Sequence, residues 1–370
     1  MKNDRRGRIK QQANALSDAF VAAGALPVET DSLMPAEVLL DLYGEDIRAR
    51  AFVTHDAEMG EQVLRPDFTV PIVQRHMAEG AEPARYTYNG PVWRKQPRSS
   101  NVSSEYIQVG YELFDRANPA QADAEVFALF SNILKPHQLR IATGDIGILL
   151  AAIAALNTTD RRKAALRRHV WRPERFVRLL ERFGGQTGAL EHRVQLLKQV
   201  AAKGAETVLQ EAGPLHGVRT RAEVLERIEV LEQDAAAAPI SAAEVDMLET
   251  VLELKGTAGA VLNRLRELAV DFPALGASAD IMQTRHAALQ AKGIDAEALP
   301  FEVSFGRTTL EYYDGFVFGF FAENRPDLPM IASGGRYDAL TRVLGQGRDI
   351  AAVGGIIRPE ALIAMQEGGL

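Results

Sequence analysis

The chain has 370 residues, 46% hydrophobic and 25% charged, so it can bury a large core and is expected to form two or three domains. Its net charge of −7 argues against nucleic acid as the main partner. There is no cysteine, which excludes disulfides and thiolate metal sites and suits a reducing cytoplasm.

The N-terminus, MKNDRRGRIK, is basic but lacks the apolar stretch of a secretory signal. Residues 11–26 then read as an amphipathic helix, with Ala13, Leu16, Phe20 and Ala23 on one stripe and a stop at Gly24. Residues 52–67 suggest a hairpin turning near Glu58-Met59-Gly60, ended by Pro66 with Asp67 and Thr69 just after it. From Arg85 to Asp115 the pattern is strand, loop, strand, and the loop Pro97–Ser104 is rich in Pro, Ser and Asn. Gln108, Gly110 and Glu112 alternate along the second strand and so share a face. Polar groups buried on one strand face line a cavity rather than fill a core.

Residues 119–134 form a helix with Ala124, Phe127, Ala128 and Phe130 to Leu134 turned inward. The longest apolar run, Ile146 to Leu156, is too short to span a bilayer and reads as a buried helix. The pattern stays helical to about residue 292, with loop signals at Phe183-Gly184-Gly185, Ala212-Gly213-Pro214 and Ala237-Ala238-Pro239. Within it, residues 161–182 carry nine Lys and Arg against two Glu, next to Trp171 and Phe176. Such a stretch suits phosphates and stacked bases. A solvated face or an acidic protein partner is the preferred reading, because the chain as a whole is acidic.

Strand patterning resumes at Phe301. Thr309–Phe318 is an aromatic strand with polar handles, Ser333–Leu340 a double-Gly turn opening a helix, and Ala351–Leu362 a strand running into a helix. The seven His form no HExxH or similar pair, and no P-loop, G-x-G-x-x-G or G-x-S-x-G occurs. No metal and no cofactor are expected.

Four segments in order, LRPDFT, GPVWRKQ…QVGYE, EYYDGFVF and SGGRYDAL, resemble the catalytic core of histidyl-tRNA synthetase. The resemblance implies an α/β (α+β) fold of the class II aminoacyl-tRNA synthetase kind, an antiparallel sheet flanked by helices and interrupted by a helical insertion. On that reading residues 1–145 are the first part of the core, 146–295 the insertion and 296–370 the second part. The C-terminal anticodon-binding domain of the tRNA enzyme is expected to be absent.

Departures from the synthetase pattern are concentrated where that family handles ATP. Arg94 matches the first motif 2 arginine, but the following Glu position holds Gln96, and the loop arginines fall on Val102 and Ser104. The histidine-specific catalytic Arg falls on Thr308, beside Arg307. The motif 3 Arg falls on Ala361, with Arg358 one helical turn earlier. Losing several phosphate-handling cations ends adenylation. The amino-acid half is retained. The resemblance places a ligand ammonium at Asp67, Thr69 and Gln108, and an imidazole at Glu112 and Tyr313 with Tyr312 alongside. Arg94 and Arg307 are the candidates for its carboxylate.

This combination resembles the regulatory subunits of ATP phosphoribosyltransferase. It implies a subunit without catalytic activity that activates a short-form catalytic subunit, takes L-histidine as effector and works in a hetero-octamer built on synthetase-like dimers. No nucleic acid and no membrane are expected as partners. An aminoacylating synthetase-like enzyme and a stand-alone histidine sensor remain the alternatives.

Overall fold

The computed structural model describes residues 2–38, 50–96, 103–188, 191–307, 312–345 and 348–367. The chain divides into two compact units, one of residues 1–148, 254–306 and 310–370, the other of 149–253 and 307–309.

The first unit is built on a nine-stranded sheet. In spatial order its strands are β1 (Leu26–Pro27), β5 (Ala84–Trp93), β6 (Glu105–Phe114), β12 (Ala352–Ile357), β11 (Ala332–Arg336), β10 (Phe316–Phe321), β7 (Arg140–Asp145), β9 (Pro300–Glu302) and β8 (Lys255–Thr257). Its pairings are antiparallel except β1 with β5 and β7 with β9. A second sheet joins β2 (Leu33–Pro35), β4 (Gly60–Leu64) and β3 (Val53–Asp56), and contains the expected hairpin with Gly60 at φ +75°. The antiparallel class II core is therefore present.

Period-two alternation on β6 separates two environments. Val109, Tyr111 and Leu113 are buried, and the Tyr111 ring lies 5.5 Å from Phe20 of helix α1 (Lys2–Ala22). Phe127 and Phe130 of the helix over Pro119–Leu134 (α3) meet Phe318 of the sheet at 5.5 Å each. Gln108, Gly110 and Glu112 have the opposite parity, toward helix α2 (Thr69–Glu79) and the rings of Phe68 and Tyr88. Helix α1 starts earlier than the apolar stripe indicates, since its first turns are polar. Ala13, Leu16 and Phe20 are buried, whereas Ala23 lies past the helix end and is exposed.

The helical segment read as one insertion over 146–295 divides. Residue 149 to residue 253 belong to the second unit, while 254–306 join the first. A buried ion network ties the returning segment to the first unit. Arg285, on the helix over Ala274–Ala291, donates to Asp145 Oδ2 at 2.6 Å and Asp123 Oδ2 at 3.3 Å. Arg336 donates to Asp123 Oδ1 at 2.6 Å and to Asp338 Oδ1 at 3.0 Å. Removing one member would strand a buried charge at a cost of about 3–5 kcal/mol.

The double-Gly segment is strand, not turn. Gly334 and Gly335 are paired with Gly355 and Gly354 in the centre of the sheet. A Cβ at Gly334 would stand 2.4 Å from the Gly354 oxygen, so close backbone approach, not turning, requires glycine. The helix that follows, over Asp338–Leu344, is capped by Asp314, whose oxygens accept from the amides of Asp338 and Ala339 at 2.9 and 2.7 Å. The Asp314 amide in turn donates to the Arg336 carbonyl of β11 at 3.0 Å; β10 itself begins at Phe316, and Tyr312 and Tyr313 lie in the segment before it. Thr309 to Glu311 lie outside the described residues.

The second unit is helical, with helices over Asp160–Arg168, Pro173–Phe183, Glu191–Lys203, Ala205–Glu211, Arg221–Ala236 and Ala242–Glu253. Phe176 is fully buried there, and therefore offers no platform for a stacked base. Among the described residues no helix is long and apolar enough to cross a membrane.

Candidate functional site

The site lies in the first unit. Pro66 ends the approach to α2, and Asp67 sits just ahead of the helix, with Oδ1 3.4 Å from the Val70 amide it accepts from. Thr69, the first helical residue, donates through Oγ1 to Glu112 Oε1 at 3.0 Å. Tyr88 of β5 donates to the same oxygen at 3.2 Å, and Tyr337 donates to Glu112 Oε2 at 2.6 Å. Glu112 is 1% exposed and held by three hydroxyls, and among the described residues no cation pairs with either oxygen.

Two glycines make the room. A Cβ at Gly354, the β12 residue opposite Glu112, would fall 1.5 Å from Glu112 Oε2, and one at Gly110 would fall 2.1 Å from the Tyr88 ring. Gln108 is buried, and its Oε1 has no partner among the described residues. A buried acceptor without a donor is expensive in a native site and fits a ligand that brings the donor. Tyr312 and Tyr313 join through their hydroxyls at 3.0 Å, with ring centroids 6.2 and 6.3 Å from Tyr337.

Electrostatically the site is acidic at its centre and cationic at its edge. Burial pushes Glu112 up to about 7 against the lowering effect of its three hydroxyl donors, and nearby Asp67 adds to the rise. Burial also raises Asp67, opposed by Arg94, whose Nη2 stands 3.9 Å from Asp67 Oδ2. Burial keeps the phenols of Tyr88, Tyr312, Tyr313 and Tyr337 protonated, so they are donors at neutral pH. Arg94 donates through Nε to the Pro66 carbonyl at 2.7 Å. Arg358 donates to the Met330 carbonyl at 2.8 Å, and burial, with Arg94 close enough to repel it, lowers its pKa.

Asp67, Thr69, Gln108, Glu112, Tyr312 and Tyr313 all belong to this unit, and hydrogen bonds or ring contacts tie most of them to Glu112 or Tyr337. Arg307 belongs to the second unit, where Nε donates to the Val170 carbonyl at 2.8 Å and the guanidinium lies over the Phe176 ring. Val102 and Thr308 lie outside the described residues. Sequence reasoning missed two residues, Tyr88 and Tyr337. Tyr88 pairs with Gly110, and Tyr337 stands inside SGGRYDAL, so alternation and the glycine beside each were the available signals.

A raised carboxylate pKa makes stability depend on pH. The folded state holds the Glu112 proton more tightly than the unfolded chain, so stability is full below ~4.5 and is lost as pH rises through about 7. The loss is on the order of 3 kcal/mol. Asp314 and Glu360 are also pushed up to about 7 by burial, so the Glu112 part is read as a difference between proteins. In denaturant unfolding at pH 5 and pH 8, wild type should lose more stability than Glu112→Gln by about that amount. Equal losses would show that the hydroxyls keep Glu112 ionised without penalty.

A family model described as histidyl-tRNA synthetase matches residues 2–238 and 222–362. The ATP phosphoribosyltransferase regulatory subunit of Allorhizobium ampelinum is 31% identical, over 92% of this chain and 94% of its own. The protein of the same name from Brucella canis is 32% identical, over 92% and 93%. Among solved structures, an ATP phosphoribosyltransferase regulatory subunit/histidyl-tRNA synthetase from Bacillus halodurans superposes with a TM-score of 0.67 at 22% identity, covering 98% of this chain and 79% of that one. A histidyl-tRNA synthetase from a Nostoc species gives 0.63 at 16% identity, covering 99% and 73%. With its synthetase-like sheet and its likeness to curated relatives along nearly the whole length of both, the chain belongs to the family of ATP phosphoribosyltransferase regulatory subunits.

Proposed function

We propose that this chain has no catalytic activity of its own and activates a short-form ATP phosphoribosyltransferase, the enzyme opening L-histidine biosynthesis, in the cytoplasm. It takes part in feedback by binding free L-histidine, within a hetero-octamer based on synthetase-like dimers. One observation carries the reading: a buried carboxylate, Glu112, stands among hydroxyl donors beside Asp67 and the Gln108 oxygen, and among the described residues Glu112 has no cation and that oxygen no partner. A small ligand rich in donors completes that arrangement. Histidine offers an ammonium for Asp67, Thr69 and Gln108, and a ring N–H for Glu112, with Tyr313 and Tyr312 beside the ring. Its carboxylate goes to Arg94, and Arg358 is the second cation on that side, since the charge of Arg94 helps lower the pKa of Arg358. Arg307, bonded to Val170, is the weaker candidate.

Feedback then requires that histidine bind one assembly state better than another, typically by ~1–3 kcal/mol. The test mixes the chain with a short-form catalytic subunit from the same source at micromolar concentration. The expected result is a larger complex and raised turnover, reduced again by histidine. Separate elution with unchanged turnover would point to a lone histidine sensor instead.

A further inference from the structure

The second unit contains a cavity of about 570 Å³, lined by residues of the helices over Pro173–Phe183 and Glu191–Lys203 and of the end of that over Arg221–Ala236. That volume is in the range of small-molecule sites, ~300–1,000 Å³. Phe183, Val194, Leu197 and Pro239 give it apolar walls, and its charged lining is Arg162, Arg182, Arg193, Lys198 and Asp234. Four cations thus face one carboxylate.

That carboxylate is already used. Asp234 Oδ1 accepts from Arg162 Nε at 2.8 Å and Oδ2 from Arg193 Nη2 at 2.6 Å. Arg162 is structural: it also donates to the Asp234 and Ala238 carbonyls, both at 2.7 Å, where a helix end leaves carbonyls without helical partners. Among the described residues no carboxylate pairs with Arg182 or Lys198. Arg182 instead lies 4.7 Å from the centroid of the Phe183 ring. Burial lowers its pKa, and Arg193, Arg162 and Arg161 repel it, with Asp234 opposing. Self-repelling cations around an apolar cavity are relieved by an anion, and guanidinium forks suit phosphate oxygens.

Of the nine cations in 161–182, only Arg162 and Arg182 line the cavity, so they converge on a point rather than track a strand. We propose that this cavity binds a small phosphate ester of mononucleotide size, its phosphate between Arg182, Arg193 and Lys198 and its ring against Phe183 and Pro239. The cavity belongs to the second unit, and the proposed histidine pocket to the first.

The test is calorimetric titration of the full chain with AMP, adenosine and inorganic phosphate, in wild type, Arg182→Gln and Lys198→Gln. Both side chains belong to exposed residues, so the variants should keep the wild-type melting temperature. AMP should bind saturably, adenosine and phosphate each at least ~10-fold more weakly, and each variant should lose about 10-fold in AMP affinity. The proposal is overturned if AMP does not saturate or if both variants bind it like wild type. Phosphate binding as tightly as AMP would also overturn it, as would a single-stranded oligonucleotide binding more tightly than AMP.

Discussion

Histidine-dependent exchange of pyrophosphate into ATP is expected to stay at background with the purified chain, and tRNA should not be charged. Adenylation develops negative charge on the α-phosphate and the leaving group, which pre-placed cations must meet. The position matching one motif 2 loop arginine is Ser104, whose carbonyl accepts from the Arg94 amide at 2.8 Å and which brings no charge. The motif 3 position is Ala361, 6% exposed on the helix over Pro359–Glu367. The two cations left at the edge of the pocket are both engaged, Arg94 with Pro66 and Asp67 and Arg358 with Met330. Each missing contact typically costs ~10²–10³ in rate, and although contacts in one constellation do not add simply, several losses leave no useful turnover. Exchange at an enzyme-like rate would overturn the non-catalytic reading.

What was legible beforehand follows from the range of the forces involved. Alternation on β6 placed Gln108, Gly110 and Glu112 on one face because a strand's period is fixed by backbone geometry, and all three share that face. The bounds of the helix over Pro119–Leu134 were legible for the same local reason, although within the stretch Phe130 to Leu134, expected to turn inward, only Phe130 and Leu134 are buried and Asn132 is exposed. The split of the long helical segment was not. Helical periodicity shows that a helix has an apolar stripe but not which partner covers it. The contacts of the returning helix with the first unit include ion pairs between residues far apart in sequence, Arg285 with Asp123 and Asp145. The double glycine misled because its usual local meaning is a turn. Here it allows two central strands to approach, which depends on Gly354 and Gly355 about 20 residues later. Arg307 was proposed for the ligand because it adjoins Thr308 in the chain. Its Nε donates to Val170, while its buried Nη2 has no hydrogen-bond partner among the described residues.

Glu112→Gln is expected to weaken histidine binding by about 10- to 150-fold, corresponding to ~1.5–3 kcal/mol for one charge-assisted hydrogen bond in a closed site. The substitution keeps the shape, and the three hydroxyls that donate to the carboxylate, from Thr69, Tyr88 and Tyr337, can rotate to suit an amide. What it removes is the negative charge that favours a ring donor. Asp67→Asn should cause a loss of similar size through the ammonium, since Asp67 is the other buried acid of the site. Gly354→Ala approaches the same group from the neighbouring strand. Its new Cβ would lie 1.5 Å from Glu112 Oε2, between strands that have no freedom to move apart, so Glu112 must leave its position. Binding should fall at least as far as in Glu112→Gln. Calorimetric titration with histidine reads all three, and turnover of the catalytic partner is measured in parallel. Activation should persist in Glu112→Gln and Asp67→Asn on the proposal that the partner docks at another surface. If both carboxylate variants bind histidine like wild type, the pocket assignment fails while family membership stands. If activation is lost together with binding, docking and sensing share this site.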